Sequence, residues 1–267
     1  MKKFLQLFIL GSSTSLLFPP FFLLPIGFIS IPFFFVLLKK KLNDKKTIVI
    51  FFEGLSYGLG LNLFLFYWLK NPLLVEEETK NLFFLSYIYV LYSSLYFGIF
   101  AIIFKFFKNL NIQLIVFPII FVSIEVLRTQ LFIAFPWNLF GYILSNNVFL
   151  IKNIAYFGIY GLSYTLIILF LTPVLIFNII NKHNTKFIIY YLLITLILFI
   201  FVFLVNFSKK EKIDSELNID VVLYQKNIKQ VDKWDLNLIE KRFNQLVTFI
   251  TDNSKNKNKT LIVFSET

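Results

Sequence analysis

The sequence contains no cysteine and a single histidine, and these shortages exclude several kinds of chemistry. Without cysteine, the 267 residues cannot form a disulfide, a cysteine-based zinc site, a lipid-modified cysteine or a thiol nucleophile. The one histidine, His183, lies in the polar segment Asn181 to Lys186, with no second histidine to share a metal. We therefore predict a solvated position for His183, and neither a metal nor a cofactor for the chain.

Acidic residues are also scarce, with 15 Asp and Glu against 26 Lys and Arg, which gives a formal net charge of +11. Such a chain could bind nucleic acid, but the excess is unevenly spread. Residues 1–206 hold 15 basic and 6 acidic residues, whereas residues 207–267 hold 11 and 9. Basic residues on loops between apolar spans follow from the positive-inside rule, so no nucleic-acid partner is predicted.

Apolar side chains are what the sequence has in excess. Hydrophobic residues make up 58% of the chain and aromatic residues 20%, with 37 phenylalanines. The mean hydropathy is +0.76. A chain this apolar is not a soluble globular protein, and its length suffices for several membrane spans and a small additional domain. We predict a polytopic α-helical membrane domain over residues 1–207.

About seven spans are predicted from the apolar segments. The charged start Met1-Lys2-Lys3 is typical of a secretory signal, but no small-residue cleavage site follows, so the first segment is interpreted as an uncleaved span. Several segments reach the roughly 20 residues that a transmembrane helix needs. The segments are Phe4 to Phe18, Phe21 to Leu38, Thr47 to Leu69, Leu82 to Phe104, Leu114 to Leu127, Tyr160 to Ile180 and Phe187 to Phe207.

The basic residues of the loops predict the orientation. With a cytoplasmic N-terminus, eleven lysines of the membrane half face the cytoplasm and four basic residues face the other side. The four are Lys70, Lys80, Arg128 and Lys152. Seven crossings then place the C-terminal tail outside the cytoplasm.

Two features interrupt the simple pattern of spans. Glu125 and Arg128 lie three residues apart at the end of the fifth span, where they can form an ion pair on one helix face, with a structural or a functional role. The following segment, Phe132 to Leu144, contains Pro, Asn and Gly and is too short to cross. We predict an interfacial or re-entrant arm that includes Trp137. The alternative is an ordinary aromatic belt at the level of the lipid headgroups.

A third intramembrane polar residue is Glu53, close to the start of the third span. A carboxylate at that depth is a functional candidate by default. Its proximity to Lys45 and Lys46 in the sequence indicates an interfacial partner instead, and both interpretations stay open.

The composition changes at residue 208, and residues 208–267 are predicted to form a separate unit. Ile219 to Tyr224 and Leu261 to Phe264 are typical of buried strands. Between them, an apolar stripe from Leu236 to Ile250 predicts a helix of about 17 residues with Asp235 as N-cap. Strand, helix and strand imply a parallel sheet, whose sites lie beyond the carboxyl ends of the strands. Glu266 is there, as a general base or as a surface carboxylate.

The order of several short motifs resembles the apolipoprotein N-acyltransferases, bacterial membrane enzymes in which a multi-span domain precedes an extracytoplasmic nitrilase-like domain. The resemblance covers the whole chain. The motifs are Gly58-Leu59-Gly60 before Tyr67-Trp68, Glu125-x-x-Arg128 before Phe135-Pro136-Trp137-Asn138-Leu139-Phe140-Gly141-Tyr142, Tyr160-Gly161-Leu162-Ser163, Gln225-x-Asn227-Ile228-x-Gln230, Lys233-Trp234-Asp235 and Val263-Phe264-Ser265-Glu266-Thr267.

The resemblance implies a two-step acyl transfer. A cysteine thiolate takes an acyl chain from a membrane phospholipid, and the α-amine of the diacylglyceryl-cysteine of a lipoprotein then accepts it. By the same resemblance Glu266 is the catalytic carboxylate and Trp234 lies near the active site. Trp137 contacts lipid or substrate, and Gln225 and Asn227 are further binding residues. The expected location is the bacterial cytoplasmic membrane.

One departure limits this expectation. The family's catalytic Lys and Cys follow the Glu, and so does its last span, but this sequence contains none of that region. We therefore expect an incomplete nitrilase-like unit, limited to its first β-α-β, in a truncated chain that is inactive alone unless a separate polypeptide completes it. The alternative function is a non-catalytic membrane protein that binds lipid or a partner through the Phe132 to Leu144 arm; transport is a weaker hypothesis because the sequence shows few repeats.

Overall fold

The computed structural model describes residues 2–40, 45–180, 185–204, 219–229, 232–233, 235–254 and 259–265. Most of these residues are helical, and two short strands lie near the end of the chain. The elements in chain order are α1 Lys2–Thr14, α2 Gly27–Lys39, α3 Thr47–Leu65, α4 Lys70–Leu73, α5 Leu85–Lys105, α6 Leu110–Gln130, α7 Val148–Ile151, α8 Ile154–Phe170, α9 Thr172–Ile180, α10 Thr185–Leu204, β1 Ile219–Tyr224, α11 Ile239–Asn253 and β2 Lys259–Phe264.

Four of the described helical segments are long and apolar enough to cross a membrane: Thr47–Leu65, Lys80–Lys105, Leu110–Gln130 and Ile154–Asn178. The first of them has 19 residues, which at ~1.5 Å per residue is close to the ~30 Å thickness of a bilayer's hydrocarbon core. Leu24–Lys39 and Lys186–Leu198 are also apolar but shorter. The structure thus confirms a helical protein with four helices able to cross a membrane, while the total of seven spans stays a prediction.

The helices α1, α3 and α5 approach one another at glycines. A Cβ atom on Gly60 of α3 would lie 2.0 Å from the carbonyl oxygen of Phe8 in α1, and one on Gly54 would lie 2.1 Å from that of Phe97 in α5. No side chain fits at such distances, so the close contact of these backbones depends on glycine. Helices in a bilayer commonly pack through small residues in this way, because apolar side chains gain little there by leaving lipid.

Aromatic rings fill the space between these helices and their neighbours. Phe34, Tyr57, Phe100 and Phe117 are all fully buried. The rings of Phe34 and Tyr57 stack with centroids 3.7 Å apart, and those of Phe100 and Phe117 meet edge to face at 5.1 Å. The abundance of phenylalanine in the sequence therefore serves an interdigitated core as well as the lipid-facing surface.

Glu53 of α3 is buried and binds two ammonium groups. Its Oε2 lies 2.6 Å from Nζ of Lys3, and its Oε1 accepts a hydrogen bond from Lys45. Lys105 in turn donates to the carbonyl oxygen of Lys45, at 2.9 Å. The predicted interfacial partner is confirmed for Lys45, while Lys3, fifty residues away in the sequence, was missed. The contact also shows that α1 and α3 begin at the same end of the helices.

The chain divides into two compact units, Met1–Lys70 with Phe83–Ser208 and Asn71–Leu82 with Lys209–Thr267. The second unit contains the predicted strand, helix and strand. β1 and β2 pair in parallel, with Val221 opposite Leu261 and Tyr224 opposite Phe264. Asp235 accepts a hydrogen bond from the amide of Asn237 at 2.9 Å, in the 3-10 turn that leads into α11. The predicted order, parallel pairing and N-cap are confirmed.

The predicted burial of this unit is wrong. Leu223 of β1 and Phe243 of α11 are 74% and 60% exposed, although both belong to apolar patterns interpreted as buried. The helix instead turns a neighbouring face inward, and Phe249 lies 4.3 Å from the ring of Tyr224. The physical reason is that the described part of the sheet has two strands and one helix, which cover only part of the apolar surface.

Candidate functional site

Five aromatic residues lie close together: two directly after α3, one in α5 and two in the Phe132 to Leu144 arm. Phe135 and Trp137 stack at 5.7 Å with an interplanar angle of 13°, and Trp137 lies 5.1 Å from Trp68. Phe66 and Tyr89 meet Phe135 edge to face, at 6.0 and 5.3 Å. We call Phe66, Trp68, Tyr89, Phe135 and Trp137 the aromatic platform. Trp137 remains 54% exposed at its rim.

A groove of about 1010 Å³ lies beside the aromatic platform. Its walls come from α1, the turn after α1, the end of α3 and the arm. The lining residues are Ile9, Ser12, Ser13, Ser15, Leu16, Pro19, Pro20, Phe21, Phe64, Leu65, Tyr67, Trp68, Trp137 and Asn138. Its size is at the upper end of the range for small-molecule sites, which suits a long ligand.

The groove is chemically apolar despite its three serines. The hydroxyls of Ser12 and Ser13 donate to carbonyls of their own helix, at 3.0 and 2.8 Å, and Ser15 donates to Ser12 at 2.7 Å. These hydroxyls have used their one donor, so they can offer a ligand only acceptor lone pairs. Trp137 also borders a second cavity of about 320 Å³, lined by Pro19, Pro136, Asn138, Tyr142 and Ser145. The groove therefore suits an extended apolar chain, and Trp137 lines both the groove and the smaller cavity.

The arm is attached to the helices by hydrogen bonds to its main chain. The guanidinium of Arg128 donates to the carbonyl oxygens of Phe135, at 3.2 Å, and Trp137, at 2.9 Å. Oε1 of Glu125 accepts a hydrogen bond of 2.7 Å from the amide of Phe140.

The predicted direct ion pair between Glu125 and Arg128 is therefore corrected, since it is not among the ion pairs of the described residues. Both side chains are buried, and both bind the arm instead of each other. An irregular backbone in an apolar region has amides and carbonyls that are costly to leave unbonded, and these two side chains bond three of them.

The second unit brings together part of the predicted catalytic edge. Gln225 and Ser265 directly follow the two strands, and the amide of Ser265 donates to the carbonyl oxygen of Tyr224 at 3.2 Å. Both strands thus end at the same edge. Gln225 and Asn227 are exposed, and Asn227 has a positive φ of 48°.

The loop after β1 is held to α11. Arg242 donates to the carbonyl oxygens of Asp232, at 2.6 Å, and Lys233, at 3.1 Å. Trp234 and Glu266 themselves lie outside the described residues, so their predicted roles stay predictions. His183 lies outside them as well.

The structure also supplies site residues that the sequence reasoning missed. Trp137, Glu125 and Arg128 were predicted and lie together, but Trp68 and the contribution of Pro19 and Pro20 to the groove were not singled out. The signal for Trp68 was present, because Tyr67-Trp68 was among the motifs quoted above. Nothing in local periodicity indicates that the turn after α1 meets the arm. No group of three or more His, Cys, Asp and Glu suited to a metal occurs within the described residues.

Three relatives align with most of this chain. Each of them is described as apolipoprotein N-acyltransferase. That of Rickettsia typhi is 27% identical and aligns with 97% of this chain and 51% of its own length. That of Coxiella burnetii is 30% identical, with 97% and 52% covered, and that of Wigglesworthia glossinidia brevipalpis is 33% identical, with 91% and 47% covered. The chain spans about half the length of the curated relatives it matches.

A family model gives the same result for the helical part. The model of the apolipoprotein N-acyltransferase N-terminal domain matches residues 10–172, which include the aromatic platform, the arm and all of the groove lining except Ile9. This match covers more than half of the chain, and the order of the motifs agrees with it. The chain belongs to the apolipoprotein N-acyltransferase family.

Proposed function

We propose that this chain takes part in the N-acylation of bacterial lipoproteins, in which an acyl chain passes from a membrane phospholipid to the amine of a diacylglyceryl-cysteine. The single observation that carries the proposal is the family match over the helices that form the groove. The family and the four apolar helices together make this an inner-membrane protein. The phospholipid is the acyl donor and the diacylated lipoprotein the acceptor.

The proposed topology has seven spans, a cytoplasmic N-terminus and an extracytoplasmic nitrilase-like unit over residues 208–267. The basic cluster around Glu53 supports it, because Lys3, Lys45 and Lys105 share the end at which α1 and α3 begin. An enzymatic topology reporter fused after Lys212 should be active outside the cytoplasm. A reporter fused after Lys108 should be active inside it. A cytoplasmic signal from the first fusion would contradict the count of seven spans.

Glu266 is the proposed general base. A carboxylate there accepts the proton of a cysteine thiol, which this sequence lacks and which the other half of a family member would supply. The thiolate attacks the ester carbonyl of the phospholipid, a thioester forms, and the lysophospholipid leaves as an alcohol with the proton that the carboxylate returns. The amine of the lipoprotein then attacks the thioester, gives its proton to the carboxylate, and releases the thiol as the amide forms. The support for this role is that Glu266 follows β2 and Ser265 in the sequence, and that β2 ends at the edge where Gln225 follows β1. Trp234, Gln225 and Asn227 are proposed binding residues at this edge.

The groove is the proposed site for an acyl chain of the donor. Its apolar walls and length suit a chain that enters from the bilayer, and Trp137 marks the rim where the polar headgroup would leave the apolar region. In this interpretation the aromatic platform sets the depth at which the ester lies.

A chimera tests the proposal. The 267 residues contain no cysteine, so they are fused to the remaining half of the Coxiella burnetii relative, which supplies the rest of the catalytic apparatus. The chimera should convert diacylated to triacylated lipoprotein in cells depleted of their own enzyme, as measured by mass spectrometry of the N-terminal peptide. Glu266→Gln should lower the rate by about 100-fold or more, because the amide cannot accept the proton.

The matched control is Glu240→Gln, which removes an exposed carboxylate from α11 of the same unit. It should leave the rate unchanged. Equal activity of the Glu266→Gln chimera and the parent chimera would exclude Glu266 as the base.

A second candidate function is binding of lipid without transfer, favoured by the exposed position of Trp137 beside the groove. The chain would then capture a photoactivatable phospholipid in vesicles, and the chimera would still produce no triacylated product. Transfer by the chimera would exclude this alternative.

A further inference from the structure

The arm is an irregular segment in an otherwise helical, apolar unit, and this creates an energetic problem. Between the end of α6 at Gln130 and the 3-10 turn at Phe140–Leu144, the main chain lacks helical hydrogen bonds. Unpaired amides and carbonyls are costly at membrane depth, so such a segment is tolerated only where the surrounding protein binds its backbone. Three buried side chains from α6 and α8 do this.

Arg128 binds the first half of the arm. Its two terminal nitrogens reach the carbonyl oxygens of Phe135 and Trp137, which flank Pro136. The planar fork of a guanidinium can hold two acceptors at a fixed spacing, whereas the single ammonium of a lysine cannot reproduce that geometry. The carbonyl of Trp137 is thus fixed directly, and the ring of the same residue lies on the platform.

Glu125 and Ser163 bind the second half. Glu125 accepts the amide of Phe140 at 2.7 Å, and the hydroxyl oxygen of Ser163 accepts the next amide, that of Gly141, at 2.8 Å. A Cβ atom on Gly141 would lie 2.7 Å from the carbonyl oxygen of Ile159, so glycine allows the close approach to α8. Two consecutive amides are therefore bound from two different helices.

Two residues of the arm have strained backbone conformations. Phe132 has φ of 52° and is 90% exposed, and Asn138 has φ of 56°. A positive φ at a bulky residue such as Phe132 costs on the order of 1–3 kcal/mol and persists only where the surroundings impose it. Asn138 is additionally tied to the helices, since its side-chain amide donates to the carbonyl oxygen of Leu65 at 3.1 Å. The arm would thus relax to another path if its anchors were removed.

We propose that Glu125, Arg128 and Ser163 are positioning residues that hold the arm by its main chain and thereby keep Trp137 on the aromatic platform at the mouth of the groove. The expected effect of these residues on catalysis rests on the proposed function, whereas their expected effect on the position of the arm does not. None of the three needs to touch substrate. Their role is to fix the depth and direction at which the donor lipid meets the arm.

The structural test uses the absence of cysteine from the chain. Ile133→Cys, on the exposed part of the arm, takes a spin label, and Leu5→Cys on α1 provides a label outside the arm. Adding Glu125→Leu should increase the mobility of the label at position 133, in lipid nanodiscs, and leave that at position 5 unchanged. Glu125→Gln should restore the parent spectrum, because its amide oxygen can still accept the amide of Phe140.

Milder variants cover the case in which Glu125→Leu does not fold. Ser163→Ala removes one acceptor, and Arg128→Lys leaves at most one of the two carbonyls bound; both should mobilise position 133 alone. An unchanged spectrum in these folded variants would overturn the proposal. Equal label mobility in Glu125→Gln and Glu125→Leu would also overturn the proposal. That result would mean that the charge of Glu125, and not its ability to accept the hydrogen bond from Phe140, holds the arm.

The catalytic test uses the chimera. Arg128→Lys and Ser163→Ala should raise KM for the phospholipid by about 10-fold to 100-fold, and change kcat much less, because the acyl-transfer groups are intact. A fall in kcat with KM unchanged would overturn the positioning role. An inactive parent chimera would refute the proposed function, whereas the label measurements would still decide whether these residues hold the arm.

Discussion

The helical unit and the β-α-β unit bury the same residue type differently. Phe100 of α5 is fully buried and meets the ring of Phe117, whereas Phe243 of α11 is 60% exposed. When the helical unit lies in a membrane, its exposed apolar side chains face lipid, where their exposure has no hydrophobic cost. In the second unit each exposed Å² of apolar surface costs about 25 cal/mol in water. Equal exposure therefore has opposite meanings in the two units.

The units also differ in how they treat polar groups. The helical unit contains buried ionisable side chains, and each has at least one defined partner: Glu53 binds two ammonium groups, while Oε1 of Glu125 and the guanidinium of Arg128 bind the main chain of the arm. In the second unit none of the described charged side chains is buried, and the polar contacts include bonds of a loop to its helix, as made by Arg242, and side-chain bonds within α11. The buried polar groups of the helical unit therefore fix particular geometries, whereas the bonds of Arg242 in the second unit hold one loop to its helix.

The largest effect is expected from removing the carboxylate of Glu53. Glu53→Leu leaves the ammonium groups of Lys3 and Lys45 without their partner. The side chains of both lysines are about one-fifth exposed, so we expect a loss of about 2–3 kcal/mol in the free energy of unfolding, less than the ~3–5 kcal/mol of a fully buried pair. Unfolding in mixed detergent micelles, followed by circular dichroism, measures this difference.

The matched variant combines Glu53→Leu with Lys3→Met, which removes one stranded charge and keeps an apolar stem. It should recover part of the lost stability. If Glu53→Leu alone were as stable as the parent chain, the buried charges of the helical unit would not be the constraint that we infer.

Some features of the two units could be predicted from the sequence, and others could not. Apolar segment length predicted a helical membrane protein, and strand propensity with an N-cap predicted β1, α11 and β2, because these depend on neighbouring residues. The partner of Glu53 in α1, the groove wall from the turn after α1 and the backbone anchors of the arm could not be predicted in this way. Each depends on two segments that are far apart in the sequence and meet only after packing.

The predicted ion pair between Glu125 and Arg128 shows a second limit of prediction from the sequence. A spacing of three residues on a helix correctly placed both side chains on one face, towards the arm. The pattern carries no information about competing hydrogen-bond partners. The main chain of the arm provides an amide donor for Glu125, at 2.7 Å, and carbonyl acceptors for Arg128, at 3.2 and 2.9 Å. The stripe of α11 failed for a related reason. Periodicity identified an apolar face, but which face packs depends on the shape of the sheet.

The smallest effect, and a direct test of the packing of α11, comes from two phenylalanines on that helix. Phe249→Ala removes the ring that lies 4.3 Å from Tyr224, and should cost about 1–2 kcal/mol, less than the ~3–5 kcal/mol of a fully buried phenylalanine. Phe243→Ala removes an exposed ring and should change stability by less than about 0.5 kcal/mol. Hydrogen exchange of the amides of β1, followed by mass spectrometry, measures both locally. The amides should exchange faster in the first variant only; faster exchange with Phe243→Ala alone would mean that the predicted stripe, and not the observed face, packs on the sheet.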